Sequence, residues 1–131
     1  MLRPSIAILL SGVLLAIDSV GQSPQVLQGF TGTAAGDQHG HSVSSAGDVD
    51  GDGAADCLVG EPGYGGGAGR IRIFSGATGA VLTSISGAPG EGLGWSVAGG
   101  HDIDGDASPD LVAGTAPGAG VGFVRAYRGS T

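Results

Sequence analysis

One order of residues occurs twice in this chain, 54 positions apart. Gly40-His41-Ser42-Val43 is answered by Gly94-Trp95-Ser96-Val97, and Asp48-Val49-Asp50-Gly51-Asp52 by Asp102-Ile103-Asp104-Gly105-Asp106. Asp56-Cys57-Leu58-Val59 is answered by Asp110-Leu111-Val112-Ala113. Farther on, Gly69-Arg70-Ile71-Arg72-Ile73-Phe74 is answered by Gly122-Phe123-Val124-Arg125-Ala126-Tyr127, with a slip of one residue. A unit that recurs at such a period cannot bury its apolar face alone and must stack on its neighbours. The period therefore predicts a solenoid, a propeller or an array.

Within each unit the pattern is that of short strands. Arg70–Phe74 alternates arginine with apolar residues, the period of a half-buried strand. Ser42–Ala46, Cys57–Gly60 and Ala80–Ser86 read as its partners, the last after the turn Gly76-Ala77-Thr78-Gly79. With 29 glycines and no sustained 3.6-residue apolar period, helix is not expected beyond the N-terminal segment. Val26-Leu27-Gln28-Gly29-Phe30-Thr31-Gly32 is similar to Val81-Leu82-Thr83-Ser84-Ile85-Ser86-Gly87, so residues 22–36 are expected to carry a stray outer strand. Residues 37–88 then form a first repeat and 89–131 a second. The repeat region amounts to about two four-stranded units, whereas closed propellers use about four to eight blades. Several copies assembling into a homo-oligomeric ring, or a longer protein of which this is a piece, would resolve the shortfall.

Residues 1–21 read as a secretory signal: Arg3, then an apolar run from Ile6 to Ile17 interrupted by Ser11 and Gly12, then small residues before Gln22. The run is shorter than the roughly 20 residues that a membrane span needs. A secreted, extracellular or periplasmic location follows, with no membrane span after signal removal. The formal net charge of −7 repels phosphate backbones and argues against nucleic acid as a partner. The single cysteine, Cys57, has no partner for an intramolecular disulfide and suits a small apolar filler.

Aspartates crowd the loop of each repeat. Asp48, Asp50, Asp52 and Asp56 stand at positions 1, 3, 5 and 9, with the backbone carbonyl of Ala54 at position 7. Asp102, Asp104, Asp106 and Asp110 repeat the spacing, with Ser108 at position 7. Like carboxylates so close retain a proton unless a cation sits among them. Calcium takes six to eight oxygens, and this spacing delivers them to one point, so two Ca²⁺ sites are expected rather than two solvated acidic turns. Magnesium prefers fewer protein oxygens, and an all-oxygen set argues against zinc or copper. The loops are not EF-hands: position 12 is Val59 or Ala113 in place of glutamate, and strands flank both. Ala107 stands where the first loop has Gly53, which predicts a more strained second loop.

With these motifs the chain resembles the FG-GAP repeats of the integrin alpha-subunit β-propeller and its bacterial relatives. His39-Gly40-His41-Ser42-Val43 and Leu93-Gly94-Trp95-Ser96-Val97 occupy the Phe-Gly-x-Ser-Val element, and Gly60-Glu61-Pro62 and Gly114-Thr115-Ala116-Pro117 the Gly-Ala-Pro element. Neither copy keeps the phenylalanine. The resemblance spans Gln38 to Tyr127 and implies all-β propeller-type blades, forming a partial or oligomer-completed propeller. It also implies calcium in the hairpin between first and second strands, and ligand recognition on the opposite face by loops such as Glu61–Gly69 and Ser86–Leu93.

Other residues read as structural. Gly63-Tyr64-Gly65-Gly66-Gly67-Ala68 approaches a dinucleotide fingerprint, but that motif must open a helix and here a strand follows. His39 and His41 could join Asp37 on a metal, yet their place in the repeat suits packing. His101 is expected in solvent, Trp95 in packing or stacked on a glycan, and Arg70 and Arg72 on the outer face of their strand. No serine, cysteine or threonine is visibly paired as a triad requires, and the repeated aspartates make a poor glycosidase dyad. The chain is therefore not expected to be an enzyme. It reads as a calcium-stabilised, adhesion-type module for an extracellular protein or glycan. The alternative is a fragment of a larger secreted propeller protein or hydrolase without independent activity.

Overall fold

The computed structural model describes residues 6–10, 13–17, 24–118 and 120–129. β1 (Ile6–Leu10) and β2 (Val13–Ile17) pair as an antiparallel hairpin from Ile6↔Ile17 to Leu10↔Val13. These strands fall within the stretch expected as a leader, whose cleavage point before Gln22 lies outside the described residues.

The two repeats form two antiparallel sheets. The first is a meander of β3 (Ser42–Gly47), β4 (Asp56–Glu61), β5 (Arg70–Phe74) and β6 (Val81–Ser86). Between β4 and β5 lies α1 (Tyr64–Gly67), one turn whose Gly65 and Gly66 have left-handed φ of 62° and 69°. It is the expected glycine turn and does not propagate as a helix. The second sheet holds β7 (Ser96–His101), β8 (Asp110–Gly114) and β9 (Val124–Arg128). The chain is all-β, and its sheets have the form of propeller blades, one of four strands and one of three.

Register explains the burial. Leu58 opposes Ile73 and Gly60 opposes Ile71, so one face of the first sheet is apolar. That face packs on Leu93, Leu111 and Ala113 of the second repeat to form the core, with Ile85, Val97 and Tyr127 at its margin. Ser42 Oγ donates to Gly94 O at 2.7 Å across the junction. A Cβ at Gly60 would stand 2.1 Å from that same carbonyl, so the approach requires glycine there.

The other face of the first sheet departs from the sequence-based expectation. Arg70 and Arg72, expected on an outer face, are buried at 7% and 6% exposure. Their register on β4 sets Glu61 opposite Arg70, and Glu61 is fully buried. Glu61 accepts from Arg70 Nε, from Arg72 Nη2, and from Arg72 Nε at 3.1 Å, and His39 Nδ1 lies 2.5 Å from Glu61 Oε1. Burial pushes the Glu61 carboxyl up, but the hydrogen bonds from Arg70, Arg72 and His39 outweigh it and hold the group below the usual glutamate range. Residues 30–39 lie over these groups. Phe30 stacks on Phe74 at 4.7 Å, His39 meets Phe74 edge-on at 5.8 Å, and Arg70 Nη2 donates to Thr33 Oγ1 at 3.0 Å. The segment expected as a strand over residues 26–32 makes no ladder; it serves as a strap on this face.

Candidate metal centre

Each acidic loop joins the first and second strands of its sheet. β3 ends and β4 begins at the same end of the first sheet, Gly47 pairing with Asp56, and the loop between them must reverse over eight residues. Asp48 at its start organises the turn: Oδ1 accepts Gly51 N–H at 2.8 Å and Asp52 N–H at 3.0 Å, and Oδ2 accepts Gly53 N–H at 2.9 Å. Asp102 does the same in the second loop with Gly105, Asp106 and Ala107, at 2.6, 3.1 and 2.9 Å. The last aspartate anchors the loop to its strand. Asp56 Oδ2 accepts Val49 N–H and Asp110 Oδ2 accepts Ile103 N–H, both at 2.8 Å.

This folding brings three carboxylates of each loop together. One oxygen each of Asp48, Asp50 and Asp56 lie within 4.8 Å of one another, and Asp102, Asp104 and Asp110 repeat the cluster. Asp52 and Asp106 stand outside the clusters, and their Oδ1 atoms accept Ala54 N–H and Ser108 N–H, both at 2.8 Å. Ala54, whose carbonyl was expected as a ligand, and Ser108, expected at the same place in the second loop, are half-buried at that turn. In both clusters two members are exposed and the third, Asp56 or Asp110, is buried.

The electrostatics fit a cation. The Asp50 carboxyl is pushed above the usual aspartate range, first by lost hydration and further by the charges of Asp52, Asp56 and Asp48; Asp52 N–H opposes the shift. The second loop is neutralised differently. Arg128 of β9 donates through Nε to Asp104 Oδ2 at 2.5 Å, which raises its own pKa. Asp110 is held below the usual aspartate range by Ile103 N–H foremost, against burial. Asp110 Oδ1 is buried without a hydrogen-bond partner among the described residues; the nearby Gly129 N–H favours the ionised form without closing a bond. Three carboxylates, all oxygen, suit a hard cation.

The loops differ in strain as expected. Gly53 has φ +90°, and Ala107 at the same place has φ +70°, where a Cβ is disfavoured. Sequence reasoning missed the cluster of Glu61, Arg70, Arg72 and His39, and the Arg128–Asp104 pair. Two arginines on one face of a strand, opposite a strand ending in glutamate, were the available signal for the first. His39 packs, as expected, and also lies against Glu61, and neither His39 nor His41 joins an acidic cluster among the described residues. Trp95 is 40% exposed and stacks on His41 at 4.3 Å. Burial raises the Cys57 thiol pKa, which suits an inert filler.

The comparisons with known proteins agree with this architecture. Residues 39–74 match the FG-GAP repeat, a span that runs from the first motif through the acidic hairpin to the third strand. The chain is 35% identical over 128 aligned residues, 89% of its length, to integrin alpha-5 of Xenopus laevis. It spans 12% of that relative's length. A matched repeat with its acidic hairpin in place, a second copy at fixed offset and two blade-like sheets make one case: the chain is an FG-GAP repeat protein.

Proposed function

We propose that this chain is an extracellular, non-enzymatic interaction module whose two acidic hairpins hold structural calcium. The observation that carries the reading is the repeated triple-carboxylate cluster, Asp48, Asp50, Asp56 and Asp102, Asp104, Asp110. In each loop the bound ion would offset the mutual repulsion of these groups and so favour the folded hairpin; a cation that binds only the native state stabilises it by mass action. The likeness to an integrin alpha subunit supports an extracellular or membrane-associated setting, and secretion is the finer reading. No helix among the described residues is long and apolar enough to cross a membrane.

The strands place the β4–β5 and β6–β7 connections at the end opposite the acidic hairpins, and there the module would meet an extracellular protein or a glycan. Those loops are tied together: Gly92 N–H donates to Gly67 O at 2.8 Å and Leu93 N–H to Ala68 O at 3.1 Å. They form a backbone-braced platform. Glu61 is turned into the sheet and takes no part in it.

Titration calorimetry with CaCl₂ tests the metal reading. Heat of binding at two sites, with a thermal midpoint that rises in calcium and falls back in EDTA, is expected. Absence of heat together with a midpoint indifferent to EDTA overturns it. For the interaction reading, an array of glycans and extracellular proteins should show a signal that substitutions in 87–95 abolish.

A further inference from the structure

A proton-binding side chain stands where the strap meets the charged face of the first sheet. His39 has both ring nitrogens engaged there. Nε2 lies 3.2 Å from the carbonyl oxygen of Phe30, and Nδ1 lies 2.5 Å from Oε1 of Glu61. A carbonyl only accepts hydrogen bonds, and so does an ionised carboxylate. Each contact therefore asks for a proton on its nitrogen, and only the imidazolium carries both. A neutral ring has one other arrangement. Arg72 Nη2 lies 3.2 Å from Nδ1 and could donate to it, but the Nδ1 lone pair would then face Glu61 Oε1 at contact distance. The ring would have to swing away, and the strap with it. His39 keeps 16% of its side chain exposed, so its proton exchanges with solvent.

The charged groups around the ring come from three elements. The strap brings Asp37, β4 brings Glu61, and β5 brings Arg70 and Arg72. Tyr64 of α1 lies beyond them, its ring 3.7 Å from the Arg70 guanidinium. The two guanidinium groups oppose a third cation, and the two carboxylates favour it. Contact decides between them. His39 Nδ1 and Arg72 Nη2 converge on the same oxygen of Glu61, so both point at negative charge, and a charge-assisted bond is strong where water is excluded. The second repeat does without the device. Leu93 stands in place of His39 at 0% exposure, and Thr115 stands in place of Glu61, its hydroxyl accepting Phe123 N–H at 3.1 Å. The scaffold asks only for an apolar residue at that place, and a titratable one matched to a buried carboxylate is an addition to it.

We propose that His39 is a proton-operated clasp: as the imidazolium it joins the Phe30 carbonyl of the strap to Glu61 of the sheet, and on losing a proton it loosens the strap. The docked state binds the proton, so while Glu61 is ionised docking weakens as pH rises. The clasp also steadies the β4–β5 connection, because the Asp37 carbonyl at the end of the strap accepts Gly63 N–H at 3.2 Å. The proposal is independent of the calcium and partner readings, and its test holds calcium constant.

Nitrogen-15 NMR of the full chain reads the ring. At about pH 6 both ring nitrogens of His39 should carry protons. Hydrogen exchange at Gly63 N–H reads the strap. Its protection, corrected for the intrinsic pH dependence of exchange, should fall at least about tenfold between about pH 6 and about pH 8, the scale of one hydrogen bond to a charged group. Amides of the β4–β5 ladder should keep their protection. In His39→Gln, which has no proton to lose, the fall at Gly63 should vanish, whereas His41→Gln should leave it in place. Should His39→Gln fail to fold, His39→Leu, the residue of the second repeat, replaces it. A neutral His39 ring in the docked strap at about pH 6 overturns the proposal. So does protection at Gly63 that is indifferent to pH, or that falls equally without His39.

Discussion

Glu61→Gln probes the strongest departure of the structure from a simple sheet surface. Glu61 is fully buried and neutralises two arginines that are themselves 7% and 6% exposed. Glutamine keeps one acceptor oxygen but turns the other into an amide donor aimed at guanidinium donors. Removing one partner from a buried ion pair costs about 3–5 kcal/mol, because the charge left behind stays buried. Domains of this size are stable by about 5–15 kcal/mol, so a large share of the total is at stake. With a urea m-value of about 1–3 kcal/mol/M, the midpoint should fall by at least about 1 M. Trp95, the only tryptophan, sits against His41 at the start of the first repeat and reports the transition by fluorescence. Replacing the whole group by Glu61→Leu, Arg70→Met and Arg72→Met should restore most of the loss, since buried pairs exchange with well-packed apolar residues at little cost. A midpoint shift below about 0.3 M at unchanged m for Glu61→Gln would refute the reasoning and mean that water reaches the cluster.

The same carboxyl sets an acid limit. Its folded pKa is lowered, so its contribution is complete above the ordinary glutamate value of about 4.3 and is lost as pH falls through the lower folded value. Urea midpoints of the wild type should therefore drop below pH 4.3, and Glu61→Gln should flatten that limb. Ala107→Gly should raise stability by about 0.5–1 kcal/mol, since relief of left-handed strain exceeds the entropy that glycine adds to the unfolded chain; a loss of stability in urea titration counts against this account. Gly60→Ala should destabilise by about 1–3 kcal/mol through its clash with the backbone Gly94 O, whereas Gly114→Ala, which meets side chains of its own sheet, Ser96 foremost and then Val124, should cost less because the serine can turn aside; equal thermal midpoints would contradict the register. Arg128→Ala should tighten calcium binding at the second loop by freeing Asp104, read as a split of the calorimetric isotherm; an unchanged isotherm would show that the pair does not compete.

How much was legible beforehand depended on the range of the interaction. β5 was expected at Arg70–Phe74 and forms there; β3 and β6 differ from expectation by one residue at one end, and β4 by one residue at each end. Their signals are local: apolar alternation, bounded by glycine turns. The acidic loops were legible for the same reason, since an aspartate turn is organised by N–H groups within five residues. Arg70 and Arg72 were misplaced because alternation shows that a side chain faces away from the core, not whether something else covers it.

From sequence alone came the repeat, the strands inside each unit and the carboxylate spacing, all products of contacts between near neighbours along the chain. Tertiary structure alone decided that Glu61, Arg70 and Arg72 are buried together beneath a strap from residues 30–39, and that Arg128 reaches Asp104 from a strand 24 residues away. Those outcomes depend on which distant surfaces come to face one another, and burial and desolvation are set by that facing rather than by any local pattern of residues.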